Sequence, residues 1–456
     1  MRKFRNPSSR NQLSLLPASI EEYVGAEDMV RYVDELVELL DLSGFDAKYS
    51  FNGRPAFEPR IIVKILVFGS LRGIRSAREL SRECRESLRF IFLAQNEKPD
   101  FRTINLFRKE HSKELASLLR QTIEIGIKEE MIDLKAVAVD GTKIRAFAGH
   151  RSFGTASNLR AELDRLEKDF EKQFIEDSSD EDDNDDDQDV LPLQHRDKER
   201  RKERLKAALE EYNRLEREIP RQISTTDPES RFMKGPEGSR PSYNVQAAVD
   251  AKSRMVVGGY ATCTTCDHGQ LSKVIDSIKE QAKQVPDLIL ADKGYSAIDG
   301  LVALKENSIT GFISQRVDVH QGFKFHPTSN TYICPNGRSL IRIRQTAQRV
   351  IYQSQNCGGC SLKTNCLRPK AKVRTLAISN HKNLIDEMRL RCSSELGDYY
   401  RRLRACVVEP LFGHLKYARK LQRFVHRGIE KVNCVWQFEL AAYNIEKLAR
   451  YRTKTV

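Results

Sequence analysis

Lys135-Ala-Val-Ala-Val-Asp140-Gly-Thr-Lys-Ile144 is the stretch on which the reading of this 456-residue chain turns. Ala136 to Val139 are small, β-branched and uncharged, the pattern of a short buried strand. A carboxylate at the end of such a strand is costly unless it meets a cation, a donor network or a turn. Taken alone, Asp140-Gly141 favours the turn, because Asp-Gly is a common turn pair. The other reading is a metal-binding carboxylate held by a rigid strand, and the rest of the chain tips the balance toward it.

Working outward, Tyr243-Asn-Val-Gln-Ala-Ala-Val249 and Met255-Val-Val-Gly-Gly-Tyr260 are joined by a short link, as in an antiparallel pair. A helix is expected over His268 to Gln281. Pro286-Asp-Leu-Ile-Leu-Ala-Asp292 is a second buried strand ending in aspartate. Ser296 to Glu306 reads as a helix and Thr310-Gly-Phe-Ile313 as a further strand. Such alternation predicts an α/β fold, a mixed sheet flanked by helices. Ligands of these sheets sit at the carboxyl ends of strands, where both aspartates fall. A third acid is available in Val407-Val-Glu409-Pro-Leu-Phe-Gly-His-Leu-Lys416. Pro410 predicts a helix start or break at Glu409. Lys416, two turns further on the same face, could meet phosphate while Glu409 meets metal.

The N-terminal part opens on a basic, polar segment. Helices are expected over Ile20 to Leu42, from Pro59, and over Ser76 to Cys84. Asp100 then caps a helix that turns Ile104 and Phe107 inward and Arg102, Asn105, Arg108 and Lys109 outward. Short helices, a turn and a basic-faced helix are the layout of a helix-turn-helix, although an ordinary helical domain with a solvated charged face fits the pattern equally well. Between 150 and 235, Leu159, Leu163, Leu166 and Phe170, then Ala208, Tyr212, Leu215 and Ile219, recur at helical spacing. They predict an antiparallel helical hairpin whose tip, the acidic tract 176–189, is disordered.

That tract hides the charge of the rest. The net charge is +13, and the ten acidic residues of 176–189 mask a balance of +23 elsewhere. The excess points to a polyanionic partner and away from an ordinary metabolic enzyme. No apolar run reaches membrane-spanning length and the N-terminus has no signal-peptide core. Ten cysteines in so long a chain are not a disulfide scaffold, which suggests a soluble protein of a reducing compartment. Cys334, Cys357, Cys360 and Cys366 offer four thiolates for a tetrahedral structural zinc. An iron–sulfur cluster or inert thiols are the alternatives. Cys263-Thr-Thr-Cys266 reads as two buried small side chains, and Asp267-His268 as a helix cap ranked below Asp292.

Val-Ala-Val-Asp140-Gly-Thr, Leu-Ala-Asp292-Lys-Gly-Tyr295 and Glu409-Pro-Leu-Phe-Gly-His-Leu-Lys416 together resemble the three acidic motifs of bacterial insertion-sequence DDE transposases. Tyr243-Asn-Val-Gln246, Arg427-Gly-Ile-Glu-Lys-Val432 and Ala442-Tyr-Asn444 extend the resemblance over most of the chain, in the right order. One departure concerns the Arg that relatives often carry four residues before the glutamate. Ala405 stands there, with Arg401, Arg402 and Arg404 nearby. The resemblance implies an RNase H-like core in which Asp140, Asp292 and Glu409 hold Mg²⁺ or Mn²⁺, expected as a pair of ions. Water would attack a phosphate at the transposon end, and the freed 3′-hydroxyl would attack target DNA. Lys293, His414, Lys416, Arg419, Arg423 and Arg427 are candidate phosphate contacts. The cysteine set would be a structural zinc insertion away from the chemistry.

The expected organisation is an N-terminal helical DNA-binding domain (1–130), a catalytic core (131–150 and 236–315), the helical insertion (151–235), the cysteine-rich insertion (316–380) and a C-terminal helical part of the core (381–456). Expected partners are double-stranded DNA, both transposon ends and target, and further copies of the chain on that DNA. No membrane is expected, and the location is cytoplasmic, at the bacterial nucleoid. Two alternatives are a catalytically silent DNA-binding descendant and a nuclease of the same fold that cuts without joining.

Overall fold

Strand β1 (Ala136–Arg145) does not turn at Asp140-Gly141 but runs on for ten residues. The computed structural model describes residues 19–49, 56–177, 193–215, 220–235, 238–315, 322–367 and 369–455. Val137 to Arg145 pair antiparallel with Asp250 to Ser242, so Gly141 is a mid-strand residue opposite Gln246. A Cβ at Gly141 would lie 2.4 Å from Gln246 Nε2 and 2.6 Å from Asp267 Oδ1. The glycine is therefore needed for a close approach of side chains, and the Asp-Gly pair carries no turn.

The sheet continues with β2 (Arg231–Gly235), β3 (Gly238–Asp250), β4 (Val256–Thr262), β5 (Leu288–Ala291) and β6 (Thr310–Ile313). Its order is β2-β3-β1-β5-β6, with β4 also paired to β3. β1, β5 and β6 run parallel, while β3 is antiparallel to β1, β2 and β4. Helices Leu271–Ala282 and Ile298–Glu306 make the two crossovers between β4, β5 and β6, as a parallel sheet requires. This is the mixed, helix-flanked α/β class expected.

The C-terminal helix Ile429–Thr455 closes the edge at β4. Asn444 accepts from the Val256 amide and donates to its carbonyl, both at 2.8 Å, and Asn433 accepts from Ala261 N at 2.9 Å. These side chains satisfy strand groups that an open edge would leave unpaired. Trp436, fully buried, donates from Nε1 to the Gln246 carbonyl at 2.9 Å. One continuous buried cluster runs from Val24 through the sheet to Ala449, so the N-terminal helices share their core with the strands. Among these helices, Pro59–Leu71 and the Asp100-capped Phe101–Glu110 lie as expected, and Asp100 accepts from the amides of Arg102 and Thr103. The expected helix Ile20 to Leu42 is broken. A short turn, Ile20–Tyr23, precedes Met29–Glu38, which begins where Asp28 caps the Val30 amide. Among the described residues no helix is long and apolar enough to cross a membrane.

Helices Ala156–Asp177 and Leu193–Arg214 run antiparallel, as the Arg160–Asn213 and Glu167–Lys206 pairs show. Leu159, Leu163 and Leu166 pack on Ala208 and Tyr212 as expected, joined by Leu205 and Leu209. All but the first two residues of the acidic tract 176–189 lie outside the described residues, as do the Phe170 side chain and Ile219. A second, five-stranded antiparallel sheet spans Lys324–His326 to Thr375–Ser379 around Tyr332, Leu340, Tyr352, Leu376 and Ile378.

Pro410 neither starts nor breaks a helix. Glu395–Gly413 runs through it, with Val407, Val408, Leu411 and Phe412 buried on one side. Burial of that apolar face offsets the hydrogen bond that proline removes. The irregularity comes later, as a π turn at His414–Ala418.

Candidate active site

β1 and β5 are parallel neighbours with Ala138 opposite Leu290. Asp140 and Asp292 each lie two residues further along. Asp292 lies just past the end of β5, near enough for its charge to act on Asp140, but Asp140 stands in the middle of β1 and not at its carboxyl end as expected. Asp292 Oδ1 accepts from Gly294 N at 2.7 Å and caps the short turn Lys293–Tyr295. Burial holds the Asp140 carboxyl above the usual carboxylate range. The Gly141 amide at 2.8 Å and the Arg404 guanidinium oppose that rise, while the charge of Asp292 adds to it.

Glu409 approaches from the helix Glu395–Gly413, about 62% exposed. Between it and Asp140 sits Arg404, with Nη1 at 2.9 Å from Asp140 Oδ2 and Nη2 at 3.4 Å from Glu409 Oε1. Sequence alone did not choose among Arg401, Arg402 and Arg404. The helix direction does, because only one of these successive positions faces β1. Among the described residues no group of three or more His, Cys, Asp or Glu side chains is arranged to hold a metal ion. In this arrangement the cation shared by Asp140 and Glu409 is the guanidinium.

A polar network backs the site. Asp267 Oδ1 accepts from Asn244 Nδ2 and Gln246 Nε2, both at 2.9 Å, and from Lys143 Nζ at 3.3 Å. Tyr295 donates to Gln246 Oε1, tying the Asp292 turn to the same network. Asp267, in sequence a further acid after a strand ranked below Asp292, is thus a hub under the site. Lys416 donates to Thr142 Oγ1, and burial, with Lys143 nearby, holds its ammonium below the usual lysine range.

The expected DNA contacts divide. Arg102, Asn105 and Lys109 are exposed on one helix face, and Lys293 is exposed beside Asp292. Arg423 and Arg427, also exposed, both lie over the Phe147 ring. Three others turn inward. Arg108 donates to the Arg75 carbonyl at 2.7 Å, and burial lowers its pKa to about 10. His414 faces Glu446 at 3.4 Å, and burial keeps its imidazole below the usual histidine range. Arg419 is fully buried on Glu446 and over Tyr443. The π turn inserts an extra residue just before Arg419, which changes the direction of that side chain.

In the second sheet, the thiols of Cys334, Cys357 and Cys360 accept N–H groups from Arg338, Arg374 and Asn336 at 3.3–3.4 Å. Arg374 also donates to the Cys366 carbonyl at 2.8 Å. Cys266 is exposed and Cys263 half-buried, so the expected buried pair is not formed. Cys266 follows β4 in the loop ahead of the next helix, beyond the cover of the sheet.

A transposase is the class these elements define. Residues 333–449 match the family model described as "Transposase DDE domain", a span that includes Glu409 and the four clustered cysteines. Residues 18–110 match a second, "Transposase domain (DUF772)", which covers the N-terminal helices. Both matches describe transposase domains, so they indicate a transposase and support the insertion-sequence DDE family. No curated protein and no solved structure matched it.

Proposed function

We propose that the chain cuts DNA at the ends of an insertion sequence and joins the freed 3′-hydroxyl to target DNA, with Asp140, Asp292 and Glu409 as the catalytic carboxylates. The observation that carries this reading is Arg404 bridging Asp140 and Glu409, with the charge of Asp292 acting on Asp140 from the end of the neighbouring parallel strand. The strand order, three antiparallel strands followed by two parallel ones across β1, supports an RNase H-like core.

The donor set, three hard carboxylate oxygen groups with one already burdened by burial and by a like charge, fits Mg²⁺ or Mn²⁺. Asp140, Asp292 and Glu409 would hold the ions, whose contribution would be to offset negative charge developing at the phosphodiester. Arg404, exchanging carboxylates for substrate, binds the two non-bridging phosphate oxygens in the bidentate manner of guanidinium. The Asp267 network keeps β1 and the Asp292 turn in register. Arg102, Asn105 and Lys109 hold DNA at a distance from the cut, and two ends are paired by more than one copy of the chain. The test uses DNA carrying the sequences that flank the reading frame. With Mg²⁺, wild type cleaves and joins, whereas Asp140→Asn, Asp292→Asn and Glu409→Gln bind without cleaving. Cleavage with no joined product would leave a nuclease, and activity in any one variant would remove that acid from the site.

The four cysteines are proposed to take a structural zinc, supported by their number and by N–H donors aimed at the sulfurs of Cys334, Cys357 and Cys360, although the side chains do not stand grouped for it in this arrangement. Elemental analysis is expected to find about one zinc per chain, lost in Cys360→Ser. Metal-free wild-type protein with an unchanged melting temperature would overturn it.

A further inference from the structure

Next to Asp140, a trough of about 320 Å³ runs along the far half of β1. It starts at Gly141 and follows β1 toward Arg145, with β2, the start of β3 and the π turn as its other walls. From Gly141 to Arg145 the strand rises about 13 Å. Lys143, Arg145, Lys234, Arg240 and Lys416 line it, and no carboxylate does among the described residues. Of the acids at its near end, Asp267 is already shared by Lys143, Asn244 and Gln246. A merely solvated basic surface would not draw cations from three separate elements into one concavity. On the rim stands Tyr417, about 70% exposed. A lone aromatic ring held in water beside a row of cations is the pairing that single-stranded nucleic acid uses, stacking a base and tracking its phosphates.

We infer that this trough carries one unpaired DNA strand away from the acids, with Lys234 and Arg240 on its phosphates and Tyr417 against a base. The inference rests on the reading of the site as one that acts on DNA, and it adds where the freed strand goes. Lys234 and Arg240 lie on the β2–β3 arm and belong to neither the carboxylate site nor the core. Arg240 is exposed, touching the His150 imidazole at 3.4 Å.

The experiment measures anisotropy of a labelled single-stranded oligonucleotide, and of a duplex, both of arbitrary sequence, over a salt series. Lys234→Gln with Arg240→Gln is expected to reduce the salt slope for the single strand by about 1.4, the loss of two phosphate contacts. Tyr417→Ala is expected to weaken the single strand roughly 5- to 150-fold, with its slope unchanged. Duplex binding, which depends on the N-terminal helices, moves little in either variant. Circular dichroism melts matching wild type confirm that both variants fold. An unchanged slope, or equal losses for single strand and duplex, overturns the trough. If wild type cleaves DNA while the slope is unchanged, only the trough falls. If the slope drops in a protein that never cleaves, the trough stands and the transposition chemistry falls.

Discussion

Asp140 holds a carboxylate where burial opposes its charge. Its folded pKa is raised above that of the unfolded chain, so ionised Asp140 costs stability at neutral pH. The cost eases as pH falls through the folded value and is gone below the unfolded value of about 3.9. Asp140→Asn should therefore raise the melting temperature at pH 7 while cutting cleavage by at least about 10³-fold. Melting curves at neutral and acid pH, with a cleavage assay, check both halves. A variant less stable than wild type at pH 7 would mean that the ion pair with Arg404 outweighs burial. Arg404 tests the same point from the other side. Its charge lowers the Asp140 pKa, so Arg404→Gln should move the acidic limb of the pH–rate profile to higher pH. Arg404→Lys should not restore it, because a point charge cannot span two carboxylates as a planar fork does. Asp140, Asp292 and Glu409 were legible as candidates because an acid abutting an apolar strand, or a proline, stands out. Arg404 was not, since choosing it among three arginines requires the direction of the helix.

At the scale of elements, what the sequence concealed lay wherever packing overrode a local signal. Asp-Gly suggested a turn, but nine paired residues hold β1 straight through it. Pro410 suggested a boundary, but four buried apolar side chains carry the helix past it. By contrast, Pro59 and Asp100 were read correctly, because a first-turn proline and an N-cap act within their own turn. The β3–β4 pair and Thr310–Ile313 were equally plain, since strand pattern and short links agreed there. Pro410 leaves the Cys406 carbonyl without its helical donor. Pro410→Ala restores that bond and should stabilise the protein by about 1–2 kcal/mol. It should also lower cleavage, because the restored bond would alter the turn between Glu409, which points at Arg404, and Lys416, which reaches Thr142. Urea denaturation and a single-turnover assay decide it. A stabilised variant cleaving at the wild-type rate would show that the proline has no part in aiming the site.

Across the whole molecule, the N-terminal helices and the C-terminal helix are joined by a buried ionic link that no sequence pattern could reveal, since its members lie more than 360 residues apart. Glu439 accepts from Arg75 Nε at 2.6 Å, Arg75 Nη2 at 2.7 Å and Ser70 Oγ at 2.6 Å, and Arg75 also reaches the Arg419 carbonyl. Burial by itself would raise the Glu439 pKa, yet the charge and hydrogen bonds of Arg75, with Ser70, hold it below the usual glutamate value. A depressed folded pKa contributes stability above the unfolded value of about 4.3 and loses it as pH falls through the folded one. Glu439→Gln should leave Arg75 buried without its anion and cost about 3–5 kcal/mol at pH 7. The difference from wild type should shrink as pH falls below about 4. Trp436, the single tryptophan, lies three residues away on the same helix and reports this junction directly. Because one core runs from Val24 to Ala449, tryptophan fluorescence and far-UV circular dichroism should give one common midpoint for wild type in urea. In Glu439→Gln the fluorescence midpoint should fall first, as the helices separate from the sheet before the strands melt. Coincident midpoints in the variant would mean that apolar packing alone joins the two ends of the chain, and that the ionic link adds stability without adding cooperativity.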